Sequence, residues 1–289
     1  MGACASSRHE EFSSSVGQFE RALPFYKLSL QEYEERVKRL IFEDDNDEIT
    51  MNQLIESFKD CPSFAQELRR EGSDLRKVLL SKYLQKTGKP ITQPIIDLNK
   101  PGSAQEAYET ENRTRIWVRG LLLLGVLYCT SSDRTRANAF FEIVQEGLNE
   151  QIAATDRDIQ NLMPRLLTLA VTMSYHFAAV RLGKSLEDNE ELNEEQKLDE
   201  IYEEIYNEML DEVFGENNQR LTRSEYIAKM SVALGRKYLS AVELRKVVDK
   251  KLNDKNIQST LRDLVKDGGQ FRVSKGDIDA AAAENDSKI

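Results

Sequence analysis

The sequence is poor in the two residues that most often interrupt helices. Its 289 residues include only six prolines and fourteen glycines. Apolar residues recur at helical spacing along most of the chain, and such periodicity is the main sequence signal for amphipathic helices. The pattern predicts an all-α fold, in a chain long enough for one large domain or for two lobes that share a core.

Cysteines are also few. Cys4, Cys61 and Cys129 are the only three, and none belongs to a CxxC pair. Secreted proteins of modest size use regularly spaced cysteines for disulfides, and this spacing is absent. We therefore expect a reducing compartment.

Long hydrophobic runs are lacking as well. The most apolar stretch, IWVRGLLLLGVLYC at 116–129, contains Arg119 and is shorter than the ~20 residues that a membrane-spanning helix needs. We interpret this stretch as a buried core helix. The start of the chain has no apolar signal-peptide core, which makes secretion improbable.

The charge balance is acidic, with a formal net charge of −10. A strongly acidic chain is a poor non-specific ligand for nucleic acid, so we expect no nucleic-acid partner. Fourteen acidic residues and a single lysine lie between 187 and 216. Ile201, Ile205, Met209 and Val213 recur there at helical spacing, which predicts an amphipathic helix with a solvated acidic face.

Motifs of the common enzyme classes are missing. The chain has no phosphate-binding glycine loop, no GxSxG and no HExxH. Its two histidines are His9, near the terminus, and His176, within an apolar helical pattern. Cys129 and His176 could form a thiol–imidazole pair, but two separate buried residues is the simpler interpretation. We expect a protein that is not an enzyme and has no cofactor.

The first seven residues, MGACASS, carry a lipidation pattern. Removal of Met1 would expose Gly2, and Ser6 occupies the small-hydroxyl position typical of N-myristoylation. One myristoyl chain binds membranes only marginally, so Cys4 is the expected site of a second, palmitoyl chain. The motif predicts attachment to the cytoplasmic face of a membrane, such as the plasma or ciliary membrane. An unmodified terminus is the alternative.

A twelve-residue pattern occurs twice. FEDDNDEITMNQ at 42–53 and FGENNQRLTRSE at 214–225 share Phe, an acid, Asn, a branched apolar residue, Thr and a closing Gln or Glu. Each pattern lies between predicted helices, and TMNQ and TRSE have the form of helix capping boxes. Aligning Ile49 and Leu221 finds two weaker copies, at 145–156 around Ile152 and at 266–277 around Val273.

This helix–loop–helix layout resembles the EF-hand, whose twelve-residue loop bears calcium ligands at positions 1, 3, 5, 7, 9 and 12. With its N-terminal motif, the chain is similar in plan to myristoylated neuronal calcium sensor and calcineurin B type proteins. The resemblance implies EF-hand-like units in two lobes with helical insertions. Loop starts are 103, 69 and 52 residues apart (145 − 42, 214 − 145, 266 − 214), wider than closely paired hands require.

The loops are poor in calcium ligands. Calcium needs about six to eight oxygens, with a charged first ligand and a bidentate closing Glu, yet Phe42, Gln145, Phe214 and Lys266 begin the four loops. The third loop is the best remnant and gives a weak candidate metal site: Glu216, Asn218 and Glu225. The other candidate ligands are Asp44, Asn46, Gln53, Asn149, Asp156 and Asp277. We expect no calcium binding at cytosolic levels.

These patterns predict an acylated flexible N-terminus (1–24), a first EF-hand-like lobe with an insertion (25–183), a second lobe (184–279) and a frayed tail (280–289). The expected function is that of a lipid-anchored adaptor or regulatory protein. Its partner would be a protein that offers an amphipathic or basic helix to an apolar groove. A structural component of a cytoskeletal or ciliary assembly and a calcium sensor using the third loop are the alternatives.

Overall fold

The computed structural model describes residues 15–44, 47–86, 109, 112–145, 150–181, 192–215, 217 and 219–254. Most of these residues are helical, which confirms the all-α prediction at the level of fold class. The helices in chain order are α1 Leu30–Asp44, α2 Met51–Ser57, α3 Pro62–Arg69, α4 Asp74–Leu79, α5 Val118–Tyr128, α6 Asp133–Val144, α7 Arg157–Leu167, α8 Met173–Arg181, α9 Leu192–Phe214, α10 Arg223–Lys229, α11 Gly235–Tyr238 and α12 Ala241–Asp254.

Four very short strands interrupt the helices within the described residues. They are β1 Glu48–Thr50, β2 Arg115–Trp117, β3 Gln151–Ile152 and β4 Leu221–Thr222. β1 pairs with β2 and β3 pairs with β4, both antiparallel. The strand β2 is a departure from the sequence analysis, which interpreted the whole stretch 116–129 as a core helix. Ile116 and Trp117 are β-branched and aromatic residues, the types that favour a pleated backbone.

One hydrophobic core runs through the described residues, from Val16 to Leu252. The apolar stretch at 116–129 is part of it, because Leu121, Leu123 and Leu124 on α5 are fully buried. This agrees with the prediction of a core helix. The acidic segment also behaves as predicted, since Ile201, Ile205, Met209 and Val213 form the buried face of α9.

Part of the N-terminal segment predicted to be flexible is helical. Residues 15–22 are helical, and the side chains of Val16 and Phe19 are buried. The ring of Phe19 stacks on that of Phe177, with centroids 5.7 Å apart. The expectation of a flexible segment up to residue 24 does not hold for residues 15–22. Apolar side chains at helical spacing give this part a face to bury.

Pro164 lies inside α7 without ending it. The helix continues into a π-helical turn, Thr168–Thr172, and then into α8. Pro164 lacks an N–H and removes one helical hydrogen bond. In the following turn Met173 N donates to Thr168 O, five residues earlier instead of the four of an α-helix. Such π turns often accommodate irregularities within long helices.

The connection between α5 and α6 is held to the segment that precedes α1. Thr130 N donates to Leu28 O and Leu30 N donates to Thr130 O, both at 3.0 Å. The Thr130 hydroxyl also donates to Tyr26 O at 2.8 Å. These bonds hold the α5–α6 connection against the backbone of residues 26–30.

Candidate functional site

The first predicted loop faces a segment that the sequence analysis did not identify. Ile49 of β1 lies opposite Ile116 of β2, and Val118 N donates to Asp47 O at 2.9 Å. Aligning Ile116 with the eighth position of the loop pattern places the facing loop at 109–120. The signal was weak in the sequence, since this segment runs directly into the apolar helix α5 and ends on Gly120.

The second and third predicted loops face each other. Ile152 of β3 lies opposite Leu221 of β4, and Arg223 N donates to Glu150 O at 3.3 Å. Both apolar side chains are buried. The loops at 145–156 and 214–225 had been assigned to different lobes, so this pairing crosses the predicted boundary at residue 184.

The paired residues of the two loop pairs have nearly equal separations in the sequence. Ile49 and Ile116 are 67 residues apart (116 − 49), and Ile152 and Leu221 are 69 residues apart (221 − 152). Only 36 residues (152 − 116) separate the inner members. The described chain thus contains two successive units, each made of two facing loops with an intervening insertion, and short strands join each pair.

The residues that close the first and third predicted loops cap their own helices. Gln53 Oε1 accepts from Thr50 N at 2.8 Å and from the Thr50 hydroxyl at 2.9 Å. Glu225 Oε2 accepts from Thr222 N at 2.8 Å and from the Thr222 hydroxyl at 2.7 Å. The capping boxes predicted at TMNQ and TRSE are confirmed. The Thr222 bonds lower the pKa of Glu225 below its ordinary value, because they stabilise the carboxylate.

The two other loops end in different ways. Asp156 Oδ2 accepts from Ala153 N at 2.7 Å, so this carboxylate also bonds to the backbone three residues earlier. Gly120 offers no side chain at all, and a Cβ built there would lie 2.9 Å from Cε3 of Trp117 and 3.2 Å from Cδ1 of Leu84. The packing leaves no room for a ligating side chain at position 120.

The structure does not describe the other predicted ligands. The side chains of Asp44, Asn46, Asn149, Glu216, Asn218 and Asp277 lie outside the described residues, as do the lipidation residues Gly2 and Cys4 and the loop at 266–277. Within the part of the chain that is described, no three His, Cys, Asp or Glu side chains are grouped so as to hold a metal ion.

A charged cluster connects the two loop pairs. Glu142 on α6 forms ion pairs with Lys38 of α1, at 2.7 Å, and with Arg223 at the start of α10. Arg223 Nη2 also donates to Asn138 Oδ1 at 2.7 Å. Burial raises the pKa of Glu142, but the contacts with Lys38, Asn138 and Arg223 together outweigh burial and leave that pKa below its ordinary value. This cluster ties the exit of the 214–225 loop to helices of both units.

The surroundings of Cys129 and His176 do not favour a reactive thiol–imidazole pair. Burial raises the pKa of the Cys129 thiol, which opposes formation of a reactive thiolate. The His176 ring packs against Tyr83 and Phe177, with centroid distances of 5.6 and 4.9 Å. Among the described hydrogen bonds, none joins Cys129 to His176.

Comparison of the chain with protein-family models, with curated proteins and with solved structures finds no match. In the described portion, every helix is too short or too polar to cross a membrane.

Proposed function

We propose that this protein is a lipid-anchored, non-enzymatic adaptor built from two pairs of degenerate EF-hands. The pairs are 42–53 with 109–120 and 145–156 with 214–225. The observation that carries the proposal is that the side chains closing two of the loops form helix caps. Gln53 and Glu225 bind the N–H and O–H groups of Thr50 and Thr222, in facing loops of EF-hand layout.

A calcium-binding hand needs both oxygens of its closing Glu on the metal. Here Gln53 is neutral, position 120 is Gly, and an oxygen of Glu225 accepts two hydrogen bonds within its own helix start. Calcium would have to displace these bonds without the help of an anionic first ligand, since Phe214 begins that loop. Capping bonds form without metal, so they support a scaffold that is folded in its absence.

The proposed partner is a protein that presents an amphipathic or basic helix, the usual ligand of EF-hand grooves. The proposed location is the cytoplasmic face of a membrane, through acyl chains on Gly2 and Cys4. The acidic composition supports a basic partner, because charge complementarity guides association. We propose no cofactor and no nucleic-acid partner.

The function is tested by membrane partition and partner capture in cells that acylate proteins. Wild type, Gly2→Ala and Cys4→Ser are compared in calcium and in chelator, with Ser14→Ala as a control outside the motif. We expect the wild-type protein in the membrane fraction under both conditions. Gly2→Ala and Cys4→Ser should move to the soluble fraction. Unchanged partition of Gly2→Ala would refute the anchor. Partner capture that requires calcium would refute the metal-free adaptor.

A further inference from the structure

The two ends of the described chain are joined by a buried ion pair. Arg245 of α12 bonds to the Glu20 carboxylate through both terminal nitrogens, with Nη2 2.6 Å from Oε2. The side chains are only 10% and 13% exposed. A buried pair of this kind is strongly destabilised when one partner is removed, because the other charge is left unpaired in a low-dielectric site.

The same arginine reaches the π turn between α7 and α8. Arg245 Nη1 donates to Ala170 O at 3.0 Å, and the neighbouring carbonyl of Leu169 accepts from the Tyr128 hydroxyl at 3.0 Å. Both carbonyls belong to the turn Thr168–Thr172. Arg245 therefore holds three elements at once, which are the N-terminal helix 15–22, the π turn and α12.

Helix α12 lies on this turn with an apolar face. Leu244, Val248 and Leu252 recur every four residues and are buried. Further polar contacts border the face, from Tyr175 Oη to Asp249 Oδ1 at 3.3 Å and from Lys251 to Glu204 and Glu208 of α9. The Lys251 ion pairs are partly exposed and contribute little individually, whereas the Glu20–Arg245 pair is buried.

A second polar contact and a ring contact also attach the N-terminal helix to the body. Arg181 Nη1 donates to Gln18 O at 3.0 Å, and Phe19 packs on Phe177. Glu20 links this helix directly to α12. If the helix 15–22 moves, Arg245 loses its counter-ion while still buried, and that favours the departure of α12 as well.

We propose that the Glu20–Arg245 pair is a latch that makes the docking of helix 15–22 and of α12 a single event. Release of the N-terminal helix would uncover the apolar surface of the π turn and α9 beneath Leu244, Val248 and Leu252. Only the binding of a partner to that surface rests on the proposed adaptor function. Its test employs unacylated protein and no partner, so the latch can fail independently of the anchor.

The test is hydrogen–deuterium exchange by mass spectrometry on the full chain, comparing wild type with Glu20→Gln. We expect exchange to become at least roughly tenfold faster in both 15–22 and 241–254, because the opening of one releases the other. The strands 48–50 and 115–117 should keep their protection. Glu243→Gln, which removes an exposed ion pair with Lys246 on the same helix, should change neither segment.

A second variant reports on the coupling without touching the ion pair. Phe19→Ala loosens the N-terminal helix and should also accelerate exchange in 241–254. Both substitutions lie in the segment 15–22. If either variant exchanges faster only in that segment, and not in 241–254, the latch is overturned. Faster exchange throughout the molecule would overturn it too, since it would show general destabilisation.

Discussion

The backbone of Ile152 lies directly opposite that of Leu221, although 69 residues (221 − 152) separate them in the chain. Both side chains are buried, at 2% and 3% exposure. Ile49 and Ile116 repeat this relationship in the first unit. A short antiparallel ladder between two loops has little backbone bonding of its own, so the buried side chains must hold each pair together.

Leu221→Ala should therefore lower the free energy of unfolding by about 2–5 kcal/mol, the range for truncating a buried leucine. Urea denaturation at neutral pH measures this change. Gln151→Ala on the facing strand is the control, because Gln151 is exposed, and it should stay within about 0.5 kcal/mol of wild type. A loss of less than about 0.5 kcal/mol in Leu221→Ala would mean that the pairing does not contribute to stability.

Gly120→Ala should be destabilising by about 1–3 kcal/mol, because the added methyl group has no room beside Trp117 and Leu84. Gly17→Ala is the matched control. Its Cβ would approach nothing closer than 3.9 Å, and replacing a helical glycine there should stabilise by about 0.5–1 kcal/mol. Thermal unfolding of both variants checks the opposite signs. A stabilising Gly120→Ala would show that the loop can accept a side chain.

Thr222→Val should lower stability by about 1 kcal/mol, because it removes the hydroxyl that accepts from Glu225 N at the start of α10. Thr222→Ser keeps the hydroxyl and should remain close to wild type. Denaturant midpoints in calcium and in chelator measure the effect. Equal losses under both conditions are expected, whereas a loss seen only in calcium would point to a metal role for this loop.

His176 predicts a specific dependence of stability on pH. Burial, reinforced by nearby Lys82, lowers its pKa from 6.5 to about 4. The unfolded chain then binds the proton more readily, so stability falls as the pH drops from about 6.5 to about 4. Allowing for the partial exposure of the ring, His176 contributes roughly 2 kcal/mol to this fall.

The measurement is the free energy of unfolding of wild type and His176→Phe at pH 7.0, 6.0, 5.0 and 4.0. The difference between the two proteins should change by roughly 2 kcal/mol over this range, with wild type losing more. Comparing the two curves cancels the titration of the carboxylates. Parallel curves would show that the His176 pKa is not lowered by folding.

Local signals in the sequence were sufficient for several features of the fold. The capping boxes at Thr50–Gln53 and Thr222–Glu225 were predicted because both partners lie within four residues. The buried face of α9 was predicted from its spacing. Ile152 and Leu221 were each placed at the apolar position of a loop, and the structure joins these two positions.

Long-range relationships were not predicted. The segment before Ile116 carries Glu109 and Glu111, but it closes on Gly120, and its apolar neighbours suggested helix. Pairing over 67 residues (116 − 49) depends on the fold as a whole. The helix at 15–22 was missed because the N-terminus was predicted to be flexible through residue 24, although Val16 and Phe19 gave a usable signal. Glu20 and Arg245 are 225 residues apart, and no local pattern identifies them as partners.

The most direct test of the metal-free scaffold is a calcium titration of the purified full chain, by calorimetry and by the fluorescence of Trp117. Trp117 lies in β2 and contacts the Gly120 position, so its emission reports on the first pair, while heat reports on every loop. The account predicts no saturable heat and no change in emission up to micromolar calcium. Saturable micromolar binding that disappears in Glu225→Gln would contradict it and make the protein a calcium sensor.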